Sequence, residues 1–84
     1  MLRNLEVGDK VIVRPFITLI GEPYIGKVTK IGTEYIYVEL MKIGDAPLAV
    51  TRVLRFNKKN FIGVGKDKMY EIDGVMFGEH EKYN

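Results

Sequence analysis

The chain has 84 residues, a formal net charge of +2 and no cysteine. This length accommodates one domain, 1–84, with a compact core and modest stability. The absence of cysteine excludes disulfides, zinc–thiolate sites and a thiol nucleophile, and a single histidine cannot form a histidine cluster. No segment approaches the roughly 18 apolar residues that span a bilayer, so we expect a cytoplasmic protein that does not enter the membrane.

The first predicted strand runs from Lys10 to Arg14 and ends at Pro15, which cannot donate a ladder hydrogen bond. A loop bounded by two prolines follows at 15–23. This loop is unusually apolar, and its apolar side chains are Phe16, Ile17, Leu19 and Ile20. Two interpretations remain open: the loop covers one end of the core, or it contacts a protein partner or a second copy of the chain.

Residues 24–42 predict a β-hairpin, because a run of β-branched and aromatic residues is interrupted only at Gly32 and Thr33. Side chains on a strand alternate between two faces. The core face of the second arm is expected to hold Ile36, Val38 and Leu40, and the other face Tyr35, Tyr37, Glu39 and Met41. Gly26 in the first arm predicts a bend, a bulge or a close backbone approach.

A second turn is predicted at 44–47, followed by a strand at 48–56 whose two faces are both mixed in polarity. Residues 57–60 predict a four-residue turn, in which Asn60 is suited to the left-handed conformation. A return strand is then expected to begin at Phe61.

The run at 63–67 predicts another turn, the run at 69–73 a short last strand, and 74–84 an appended tail. Helical periodicity is nowhere sustained over ten residues. Five or six short strands with turns at intervals of about 8–12 residues are typical of small all-β proteins. We expect a closed barrel with its core at about 7–73, because closure removes the exposed edges of a short open sheet.

Several stretches resemble SH3-like barrels, including KOW and Tudor-type modules. These stretches are 7–11, the "GxVxxI" pattern at 26–31, the strand at 35–38 and the turn at 55–60. The turn is similar to an "RF-D-K-K-T-G" pattern of short phage and prophage proteins, with asparagine in this chain at the Asp and Thr positions. The resemblance implies a five-stranded SH3-like barrel with a C-terminal extension and a phage or prophage origin.

Charge is distributed unevenly. Residues 51–68 carry six basic groups against one acidic group, whereas 69–84 carry four acidic groups against one lysine. The basic segment could bind an anionic partner, or the acidic tail could fold back and neutralise it.

Tyr35 and Tyr37 lie on one face, roughly 7 Å apart, a spacing that suits nucleobases or a peptide. They are also good strand formers that half-bury on any small barrel, and this alternative stays open. The candidate nucleic-acid-binding residues are Tyr35, Tyr37, Lys27, Lys30, Arg52, Arg55, Lys58 and Lys59.

No nucleophile elbow, phosphate loop or zinc-ligand spacing occurs, and no cofactor or metal site is predicted. We therefore expect a non-catalytic binding module. The resemblance implies a phage accessory protein, and the two tyrosines with the basic segment favour nucleic acid or a nucleoprotein as its partner. The alternative is a protein-interaction or inhibitor module, possible as a homodimer, that acts through the loop at 15–23.

Overall fold

The computed structural model describes residues 5–15 and 23–76, which form an all-β structure. Five antiparallel strands make one sheet in the order β4-β3-β2-β1-β5. The strands are β1 Lys10–Pro15, β2 Tyr24–Ile31, β3 Tyr35–Ile43, β4 Ala46–Asn57 and β5 Tyr70–Met76, and a single 3-10 turn, Gly65–Asp67, precedes β5. The predicted all-β class is confirmed.

The core lies on one face of this sheet and is formed by alternate residues of each strand, as the periodicity predicts. It comprises Val11, Val13, Val28, Ile36, Val38, Leu40, Leu54, Phe56 and Ile72. Ile36, Val38 and Leu40 are buried, so the predicted core face of the central hairpin is confirmed. Phe56 is the largest of the fully buried side chains.

The predicted hairpin is also confirmed in its pairing and its turn. β2 pairs with β3 along its whole length, with Tyr24 opposite Ile43 at one end and Ile31 opposite Ile36 at the other. The Gly32 amide donates to the Tyr35 carbonyl at 2.8 Å and closes the turn. The ladder register shifts beside Gly26. A Cβ at Gly26 would lie 2.5 Å from Val38 Cγ1, so this glycine permits the close approach that the sequence predicts.

β4 begins after a two-residue turn in which Gly44 has φ 59°, as a hairpin with glycine at its first turn position requires. Pro47 of β4 pairs with Lys42 of β3, and Arg52 of β4 pairs with Leu40 of β3. Four β4 residues, 48–51, therefore lie opposite one β3 residue and form a large bulge. Within this bulge Val50 is 80% exposed.

The turn at 57–60 is present, but the left-handed residue is Phe61, with φ 63°, and not Asn60. Asn60 instead accepts the Ile62 amide through its side-chain oxygen at 2.9 Å, while Asn57 accepts the Lys59 amide at 2.7 Å. Phe61 packs against the core in this conformation. Burial of the ring thus offsets a backbone cost of order 1–3 kcal/mol.

The return strand expected from Phe61 is reduced to two isolated bridges, Phe56–Gly63 and Ile62–Glu71. The segment 61–64 nevertheless hydrogen-bonds to both edge strands. It bonds β4 through Asn57 and Arg55, and β5 through Tyr70 and Ile72. β4 and β5 do not form a ladder with each other in the described sheet, so the sheet is not closed into a barrel.

The last strand is longer than predicted. β5 extends to Met76, so the first three residues assigned to the tail belong to the sheet. They pair with β1, with Gly74 opposite Ile12 and Val75 packed against the core. A register shift between Ile12 and Val13 accommodates this pairing, and no sequence periodicity signals it. The rest of the predicted tail, 77–84, lies outside the described residues.

Candidate nucleic-acid interface

The candidate interface is the face of β2, β3 and β4 opposite the core. Residues paired across neighbouring strands share a face. Tyr37 lies between Lys30 on β2 and Arg55 on β4 in the register of the sheet. The sheet therefore brings one tyrosine and two cations into a single cross-strand row.

Both tyrosines of this face carry a cation over the ring. The Arg55 guanidinium carbon lies 4.6 Å from the centre of the Tyr35 ring. The Lys30 ammonium lies 5.5 Å from the centre of the Tyr37 ring. Such contacts contribute about 0.5–1 kcal/mol at exposed sites, and they hold positive charge beside an aromatic surface.

Two turns meet at one end of this face. The Lys58 amide donates to the Glu34 carbonyl at 2.9 Å, and the Lys58 ammonium donates to the Gly32 carbonyl at 3.1 Å. Asn57 fixes the second turn from inside, because its side-chain oxygen accepts the Lys59 amide. The turn at 32–34 is consequently tied to the turn at 57–60.

A hollow of about 440 Å³ lies between the two turns. Its lining residues are Thr33, Glu34, Tyr35, Asn57, Lys58 and Lys59. A second hollow of about 200 Å³ lies on the other side of Tyr35. That hollow is lined by Lys30, Gly32, Thr33, Glu34, Tyr35 and Tyr37. Thr33, Glu34 and Tyr35 form the wall that the two hollows share.

Arg14–Asp73, at 2.6 Å, is the sole ion pair within residues 5–15 and 23–76. The basic side chains of the interface therefore have no carboxylate within 4 Å in that part of the chain. Of the acidic residues expected to neutralise them, Asp73 pairs with Arg14 on another strand. Glu79 and Glu81 lie outside the described residues, so the neutralising role of the tail stays a prediction.

The structure separates the predicted site residues into groups. Lys30, Arg55, Lys58 and Lys59 lie next to the tyrosines. Lys27 lies one row further along the same face, opposite Glu39.

Arg52 lies apart from the interface, because it is paired with the core residue Leu40 and so projects from the other face of β4. Its guanidinium contacts Tyr70, with the guanidinium carbon 5.6 Å from the ring centre and a 3.3 Å hydrogen bond to the hydroxyl. The Tyr70 ring in turn packs edge-on against Tyr24. Arg52 is thus part of a separate aromatic cluster.

Glu34 was not among the residues that the sequence singled out. It borders both hollows. The sequence shows only an acidic residue in a turn. The contact between this turn and the basic turn at 57–60, which the sequence does not show, places Glu34 in the candidate site.

The second predicted site, Phe16, Ile17, Leu19 and Ile20, lies outside the described residues, and its role stays a prediction. Among the residues that the structure describes, no helix is long and apolar enough to cross a membrane. No cluster of three or more metal-ligating side chains occurs in that same part of the chain.

A comparison with models of known protein families gives no match, and neither does a comparison with curated proteins or with solved structures. The resemblance to SH3-like and phage proteins therefore stays a prediction.

Proposed function

We propose that this chain is a small, non-catalytic module that binds single-stranded nucleic acid through the outer face of β2, β3 and β4. One observation carries the proposal. Tyr35 and Tyr37 lie half-buried on the sheet face opposite the core, each with a cation over its ring, and two hollows border Tyr35.

The chemistry of this face fits the ligand. Bases stack on aromatic side chains, and each stacked base contributes about 1–3 kcal/mol as judged by substitution of the aromatic residue. Phosphates bind lysine and arginine, and the counterions released on binding make the affinity dependent on salt. Lys30, Arg55 and Lys59 supply the charge beside the rings.

An SH3-like arrangement is part of the proposal. The strand order β4-β3-β2-β1-β5 and the 3-10 turn before the last strand support it. So does the segment 61–64, which hydrogen-bonds to both edge strands and stands where a closing seam would run. A phage or prophage origin and a nucleoprotein partner remain the corresponding expectations from the sequence.

The proposal is tested by fluorescence anisotropy of a labelled ten-nucleotide oligothymidylate titrated with protein at several salt concentrations. Replacing Tyr35 and Tyr37 together with leucine should weaken binding at least about thirtyfold, because two stacking surfaces of at least about 1 kcal/mol each are lost. Lys59→Gln should make the negative slope of log affinity against log salt shallower by about 0.7, the contribution of one phosphate contact to a single strand. Lys42→Gln is the matched control, because Lys42 follows the core residue Leu40 at an alternate position of β3 and so does not share the face of the tyrosines; it should leave the slope unchanged.

The proposal is wrong if no oligonucleotide binds at low salt, or if the double leucine variant binds as tightly as the wild-type protein. Circular dichroism of each variant establishes that a loss of binding does not reflect a loss of fold.

A protein-interaction or inhibitor function is the second candidate. In the described part of the chain it is favoured by the exposed apolar residues Met41, Val50 and Val53. An association that is insensitive to salt and is lost in the Ile17→Asp, Leu19→Asp double variant would assign that function to the loop at 15–23. Sedimentation at increasing protein concentration tests whether this association is a homodimer.

A further inference from the structure

We propose that Glu34 makes the interface selective for bases that carry an exocyclic amino group, such as cytosine, over thymine and uracil. The inference rests on the proposed nucleic-acid function and specifies its ligand. The observation behind it is the position of one carboxylate on the wall between two otherwise basic and aromatic hollows.

Glu34 extends from a firmly held backbone. Its carbonyl accepts the Lys58 amide at 2.9 Å, and the turn that contains it is closed by the bond from the Gly32 amide to the Tyr35 carbonyl at 2.8 Å. The backbone is held on both sides of Glu34, and Glu34 lines both hollows together with Tyr35. The carboxylate would therefore lie within reach of the edge of a base stacked on Tyr35.

The Glu34 carboxylate is also available to a ligand. Arg14–Asp73 is the sole ion pair among residues 5–15 and 23–76, so no described cation within 4 Å occupies the carboxylate. The nearby Lys58 ammonium donates to the Gly32 carbonyl. Lys59 lines the larger hollow, and its backbone amide donates to Asn57. The Lys59 side chain makes no hydrogen bond to any residue that the structure describes.

A carboxylate is unfavourable in a site that binds phosphate alone, because the two negative charges repel each other. It is favourable where the ligand offers N–H donors, and glutamate accepts hydrogen bonds from the N4 amino group of cytosine. Thymine and uracil present carbonyl oxygens on both sides of their one ring N–H, and these oxygens would face the carboxylate. The larger hollow, at about 440 Å³, falls within the size range of small-molecule sites.

The test compares the affinities of labelled ten-nucleotide oligocytidylate and oligothymidylate at pH 7.5 and fixed salt. Wild-type protein should bind the cytidylate at least about fivefold more tightly, the low end of the discrimination that one good base contact gives. Glu34→Ala should reduce this ratio to within about twofold. Its affinity for oligothymidylate should be equal or higher, because a repulsive charge has been removed.

Glu39→Gln is the matched control, since Glu39 lies on the same face of β3 and borders neither hollow. It should keep the wild-type ratio. The inference is overturned if wild-type protein binds both oligonucleotides equally, or if Glu34→Ala retains the preference. In both cases the proposed function stands, because binding itself persists. The absence of binding to either oligonucleotide would instead overturn the proposed function together with the inference.

Discussion

Replacing Asp67 with alanine should destabilise the fold, although the residue lies outside every strand. Asp67 is 5% exposed, and its Oδ2 atom accepts the backbone amide of Arg55 at 3.0 Å. The Arg55 carbonyl is bound by the Val64 amide. Both backbone groups of Arg55 therefore point away from β3, and residues 64–67 take the place of a sixth strand along this edge.

The magnitude follows from that geometry. Alanine at 67 leaves a part-buried amide without its acceptor, which costs about 1–3 kcal/mol. A domain of this size has a free energy of unfolding of roughly 4–13 kcal/mol at about 0.05–0.15 kcal/mol per residue. A loss of about 2 kcal/mol lowers Tm by about 8–16 °C at about 4–8 °C per kcal/mol. Asp67→Asn keeps an oxygen acceptor of the same shape and should lose less.

Urea unfolding followed by circular dichroism measures the loss, and amide hydrogen exchange localises it to Arg55. Asp73→Ala is the matched control, because it removes a carboxylate that is 44% exposed and whose ion pair with Arg14 contributes at most about 1 kcal/mol. Equal stability of Asp67→Ala and wild-type protein, or unchanged exchange at the Arg55 amide, would refute the role assigned to this carboxylate.

Two glycine substitutions test the close backbone approaches. Gly63→Ala would place its Cβ 1.8 Å from the Asp67 carbonyl oxygen, so we expect a loss of more than about 3 kcal/mol or a failure to fold, measured as soluble yield and Tm. Gly26→Ala would place its Cβ 2.5 Å from Val38 Cγ1 and 3.0 Å from the Glu39 carbonyl oxygen, and because Val38 is fully buried this overpacking should cost about 1–3 kcal/mol in urea unfolding. Gly32→Ala would place its Cβ 3.6 Å from the nearest atom and should lower stability less than Gly63→Ala or Gly26→Ala. A larger loss for Gly32→Ala than for the other two variants would contradict this packing.

The sequence predicted the elements that local periodicity governs. The alternation at 35–41 placed Ile36, Val38 and Leu40 in the core, and the structure confirms this because burial on one face leaves a strand only one workable register. Gly26 could also be recognised from local sequence, because a glycine within a strand has no side chain to pack and often marks a bulge or a close approach.

The features that the sequence did not predict depend on contacts between distant segments. Phe61 adopts a left-handed conformation because its ring packs on a core assembled from other strands. Gly74 and Val75 belong to β5 because β1 accepts them as partners. Glu34 enters the candidate site through a turn more than twenty residues away. Arg52, by contrast, could have been separated from Arg55 by the sequence alone, because it alternates in phase with the core residues Leu54 and Phe56.

The pairing of β1 with β5 bears on how the chain matures during synthesis. Lys10 lies opposite Met76, so β1 can pair with β5 only after nearly the whole described sequence has been synthesised. Until then Val11 and Val13 lack one flank of their packing, while the hairpin of β2 and β3 can already form from neighbouring residues. Completion of the sheet is therefore a late step of folding that follows formation of this hairpin, and it includes the cost of closing a long loop.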